Sequence, residues 1–93
     1  MVVGVCTIDL HLPGVGSLKG KRQILLSLKD RLKKAYNVSI AEVDANDLWQ
    51  RAVLGVACVA NEGRHVTQVL DSVLNEIRAN PSVELVQQHT ELY

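Results

Sequence analysis

The order in which the hydrophobic period changes constrains the fold of this 93-residue chain more than any other feature. Apolar residues first alternate and then recur every three to four positions. They alternate twice more, recur again, and alternate once more at the end, which spells β-α-β-β-α-β with hardly a spare loop. The first alternation places Val2, Gly4, Cys6, Ile8, Leu10 and Leu12 on one face and Val3, Val5, Thr7, Asp9 and His11 on the other. Pro13-Gly14-Val15-Gly16 is turn chemistry, and Ser17 is an N-cap whose hydroxyl can accept an unpaired helix N–H. A helix over Leu18 to Tyr36 then brings Leu18, Leu25, Leu28, Leu32, Ala35 and Tyr36 onto one stripe, with Ile24 at its margin. Gly20 weakens its first turn, and Asn37 is a left-handed stop.

A short strand over Val38 to Val43 and a turn at Asp44 to Asp47 follow. The third strand runs from Leu48 to Ala60, with Ala52, Leu54, Val56, Cys58 and Ala60 on one side. Asn61 caps a second helix with Val66, Val69, Leu70, Val73 and Ile77 at core spacing, and Asn80-Pro81 ends it. Val83 to Leu92 closes the set as a polar, peripheral strand. Right-handed crossovers put both helices on one side of an antiparallel sheet ordered four-one-three-two. The expected fold is therefore α+β and ferredoxin-like, in one domain over residues 1–93.

A composition of 47% hydrophobic and 22% charged residues belongs to an ordinary globular chain, not a disordered one. No run approaches the roughly 18 apolar residues that span a bilayer. The start carries no basic region, and Asp9 and His11 interrupt its apolar run, so a cytoplasmic location away from membranes is expected. Cys6 and Cys58 form no CxxC pair and lie within apolar strand patterns, where reduced, buried thiols are expected.

Two helices cover one sheet face only, and the other face should be polar in a chain that works alone. Val3, Val5, Val53, Ala57 and Val59 fall on that open side and form an apolar patch at its centre. Patches of this kind mark interfaces, so a homodimer or a partner held on this face is expected.

Charge is unevenly placed although the formal net charge is zero. The first helix carries Lys19, Lys21, Arg22, Lys29, Arg31, Lys33 and Lys34 against Asp30, a local +6 balanced by −6 elsewhere. Arg22, Lys29 and Lys33 share a narrow sector of the wheel, with Lys19 and Leu26 beside it. Such a stripe suits phosphate backbones, because each cation that neutralises a phosphate releases counterions. It is equally the solvated outer face of an ordinary helix. Lys19, Lys21, Arg22, Lys29 and Lys33 are the candidate RNA contacts.

Aromatic stacking on the open sheet is disfavoured, since the chain has no Phe and its central strands offer Val. Trp49, beside Gln50 and Arg51 after a turn, either grips a partner or packs over the sheet end. His11, His65 and His89 share no metal-ligand spacing. A small acid-base or metal site from Asp9, His11 and Glu42 is a minor alternative, and Gly14-Val15-Gly16 lacks a full phosphate-loop pattern. No catalytic residue, metal or cofactor is assigned.

Val3-Gly4-Val5-Cys6 leads through Leu10-His11-Leu12-Pro13 into Ser17-Leu18-Lys19-Gly20-Lys21-Arg22. Asn37-Val38-Ser39-Ile40-Ala41-Glu42-Val43, Leu48-Trp49-Gln50-Arg51-Ala52 and Leu54-Gly55-Val56-Ala57 follow in order. Across essentially its whole length the chain resembles the YlxP-like family, a bacterial domain of unknown function (number 503). It departs at Gly20, where the family pattern reads Glu. The resemblance implies a ferredoxin-like fold and, from the family's gene neighbourhood beside translation initiation and ribosome-maturation factors, a role near the ribosome. It implies no established enzyme activity and no agreed catalytic residues. Two functions stand out: a non-enzymatic dimeric module on ribosomal RNA or ribosomal particles, and an oligomeric domain holding a small ligand or protein partner at its sheet face. An enzyme ranks third.

Overall fold

A computed structural model describes residues 1–93 and contains six elements: β1 (Val2–His11), α1 (Leu18–Ala35), β2 (Ser39–Asp44), β3 (Arg51–Ala60), α2 (Gly63–Ala79) and β4 (Glu84–Leu92). The sheet order is β2-β3-β1-β4 with every pair antiparallel. This is the expected βαββαβ arrangement, with β1 and β3 central. Cys6, Ile8, Leu10, Ala52, Leu54, Val56 and Cys58 are buried on the side that the helices cover. Leu25, Leu28 and Leu32 of α1 and Val66, Leu70, Val73, Leu74 and Ile77 of α2 close the core over them. Ala35, expected on the α1 stripe, is exposed at the last turn.

The Ser17 hydroxyl accepts from the Gly20 N–H at 3.0 Å, so α1 starts where the cap was expected. Its C-cap, Tyr36, is extended, and Asn37 is not left-handed; the chain's one positive-φ non-glycine residue is Ala45, at 60°. The N-cap of α2 is Glu62 rather than Asn61, with no side-chain cap. β3 begins at Arg51, because residues 48–50 belong to the connection, in which the Leu48 N–H bonds the Ala45 carbonyl.

Gly4 sets how closely α2 lies on β1. A β-carbon placed there would overlap Val66 Cγ1 and Leu70 Cδ1. No helix is long and apolar enough to cross a membrane.

Candidate functional site

Arg22, Lys29 and Lys33 lie on one flank of α1, with Lys19 and the 67%-exposed Leu26 beside them. Lys19, Arg22 and Lys33 are exposed and Lys29 is half-buried. The opposite flank, Gln23, Ile24, Ser27 and Arg31, borders a depression of about 330 Å³ shared with Asn80–Ser82 at the exit of α2. The basic stripe therefore faces away from α2. None of its four cations joins an ion pair, whereas Lys34 is held by Asp30 at 3.0 Å, one turn earlier.

Lys21 does not belong to that surface, which corrects its assignment as an RNA contact. It is 1% exposed, and its ammonium is surrounded by oxygen. It donates to the carbonyls of Ala45 (2.9 Å), Arg51 (3.1 Å) and Asn46 (3.3 Å) and lies 2.7 Å from Glu42 Oε2. The physical reason is its angular position: Lys21 precedes Leu25 by four residues and Leu28 by seven, so it shares their stripe and points at the sheet. Three donors and a charge meet a carboxylate and three carbonyls, which offsets the cost of removing the ammonium from water. Glu42 Oε2 has no other polar partner.

The same cage shapes the connection from β2 to β3. Ala45 sits at φ 60°, with the Asp44 carboxylate accepting its N–H at 2.7 Å. From the other side, the Gln50 side-chain amide donates to the Val15 carbonyl at 3.0 Å and the Pro13 carbonyl at 3.4 Å. The Leu12 N–H bonds the Gln50 carbonyl at 2.9 Å. Pro13–Gly16 is thus tied to a neighbouring loop.

On the open sheet face Val3 stands opposite Val59 and Val5 opposite Ala57. Val59 is 50% and Val5 36% exposed, and Val3 and Ala57 are partly exposed. Two β2 residues not anticipated from sequence, Ala41 and the 57%-exposed Val43, extend the patch. Val43 Cγ1 would stand 3.0 Å from a β-carbon at Gly55, so the glycine lets Val43 lie flat on the sheet. Val53 leaves the expected interface, because it is only 8% exposed in the single chain. Asp9 stands opposite it on β1 and is clasped by Arg51 through two bonds of 3.1 Å, while Asp44 pairs with it from β2.

That clasp begins the polar half of the face. Asp9 and Asp44 hold the Arg51 guanidinium charged, the Asp9 hydrogen bond most strongly. Thr7, Asp9, Asp44, Arg51, Gln87 and His89 line a depression of about 200 Å³. Along β4, Glu91 accepts from Tyr93 and lies 2.8 Å from His89 Nε2. The Tyr93 bond and then the His89 bond hold the Glu91 carboxyl below its usual range, and the Tyr93 phenol is correspondingly raised.

Asp9, His11 and Glu42 are not brought together. Glu42 shares the helix-facing parity of Ile40 and pairs with Lys21, whereas His11 lies across the open face, 3.1 Å from Glu84. Both cysteines are free and buried, and burial raises both thiols above their ordinary range. Trp49 is 53% exposed.

Comparison with known proteins adds no chemistry to this geometry but fixes its kinship. The model of a family described as "Protein of unknown function (DUF503)" matches residues 3–90. The "Uncharacterized protein YlxP" of Bacillus subtilis (strain 168) is 32% identical over 92 residues, spanning 99% of this chain and 100% of that protein. With the family pattern running from the first strand into the last, this chain belongs to the YlxP-like DUF503 family.

Proposed function

We propose that this protein is a cytoplasmic binding module, not a catalyst, that docks RNA phosphates on the outer flank of α1 and pairs with a second copy through the apolar half of its open sheet face. One observation carries the reading: Lys19, Arg22, Lys29 and Lys33 share a flank and none is neutralised by a carboxylate. Unpaired cations along a helix attract a polyanion without reading its sequence. The neighbourhood implied by the family resemblance makes ribosomal RNA or a ribosomal particle the natural partner.

Replacing Arg22, Lys29 and Lys33 together with Gln removes three phosphate contacts. The slope of log affinity for single-stranded RNA against log salt should flatten by about 2. Unchanged affinity and slope would remove the flank from the reading. On a lysate gradient the protein should travel with ribosomal subunits at low salt and be released at moderate salt; protein remaining at the top in both sinks the ribosomal partner. Light scattering should give a dimer mass that Val5→Lys or Val59→Lys reduces to a monomer. A monomer at high concentration in both low and high salt excludes the pairing.

The depression between Thr7, Asp9, Arg51 and His89 favours a second reading, in which the open face holds a small polar ligand. Binding of an uncharged ligand there would be nearly indifferent to salt, unlike that of RNA.

A further inference from the structure

Trp49 lies in the β2–β3 connection two residues before β3, 53% exposed, beside Leu48 at 49%. Apolar area of this size left in water has a cost that a partner can recover. The connection is nevertheless fixed. Lys21 holds the carbonyls of Ala45, Asn46 and Arg51 from beneath, Gln50 bonds Pro13 and Val15, and Leu48 and Leu12 add backbone bonds on either side. A ring carried on a fixed backbone has already lost freedom that binding would otherwise remove.

We infer that Trp49 is a stacking platform for an unpaired base of single-stranded RNA whose phosphates run along Lys19 and Arg22; this rests on the RNA reading proposed above. One feature favours RNA over a protein surface. Lys21 brings the first turn of α1 within one lysine side chain of this connection, and Lys19 and Arg22 stand on the outer flank of that same turn, so ring and free cations share one end of the molecule. Every base has a π-face, so such stacking tolerates any sequence.

Trp49 is the sole tryptophan, so intrinsic fluorescence reports on this ring alone. The wild-type protein is titrated with an unstructured RNA of about 12 nucleotides, long enough to cover a single small module, and with the duplex of the same sequence. Binding is followed in parallel by anisotropy of labelled RNA. The single strand should quench the fluorescence over the concentrations at which anisotropy rises, and the duplex should bind without quenching. Trp49→Leu should weaken single-strand binding about tenfold and leave duplex binding unchanged, whereas Trp49→Phe should retain most of the affinity.

Single-strand binding without quenching, together with an unaltered Trp49→Leu variant, overturns the stacking role and leaves the basic flank intact. Absence of binding to either RNA overturns the flank and the platform together. A Trp49→Leu protein released from ribosomal particles, yet unchanged towards naked RNA, assigns the ring to a protein surface and equally overturns the inference.

Discussion

Lys21 and Arg22 are neighbours in α1, carry the same charge, and meet opposite surroundings. Lys21 lies on the inner face, 1% exposed, with four oxygens around its ammonium; Arg22 lies on the outer flank, exposed and without an ion pair. A rotation of 100° along the helix separates a cation that holds the fold from one left exposed and unpaired. Counting charges on α1 therefore overstates the cations on its outer face, because the charge on the apolar stripe is engaged by the β2–β3 connection.

The contrast is broken most directly at Lys21. Lys21→Met strands a buried carboxylate and three carbonyls, and urea unfolding should show a loss of about 3–5 kcal/mol. Arg22→Met should stay within about 0.5 kcal/mol of the parent. Equal effects at the two positions would end the distinction.

Ala45 sharpens it further. Its left-handed backbone carries a penalty of about 1 kcal/mol that glycine avoids, so Ala45→Gly should stabilise the protein by about that amount. The gain should shrink in a Lys21→Met background, where the Ala45 carbonyl is no longer held in place. Full additivity would show that the cage does not impose that conformation.

The smallest effect belongs to the outer pair of Asp30 and Lys34, which are 62% and 77% exposed. Asp30→Asn should cost only about 0.3–0.5 kcal/mol, and still less at high salt. A loss comparable to that of Lys21→Met would mean that exposed and enclosed pairs are energetically alike here.

Much of the fold was legible because its signals are local. Strand alternation separated Cys6, Ile8 and Leu10 from Val3 and Val5, and Ser17 marked the start of α1. The candidate site was less legible, since its decisive contacts join distant segments. The position of Lys21 between Leu25 and Leu28 on the wheel was visible, but the oxygens that make burial tolerable come from residues 42–51 and appear only after folding. Val53 obeyed its alternation and was nonetheless covered, between Asp9 on β1 and Asp44 on β2. Val43 follows the alternation of Ser39 and Ala41 onto the open face, and it is Asp44 that a register shift after Glu42, which no periodicity announces, brings opposite Val53.

Gly4 has a consequence for how this fold can drift in sequence. With Val66 and Leu70 occupying the room a side chain would need, positions 4 and 66 are bound into a single volume. A homologue that gains a methyl group on the strand must give one up on the helix or let the two elements part, so substitutions at these sites should arrive as compensating pairs.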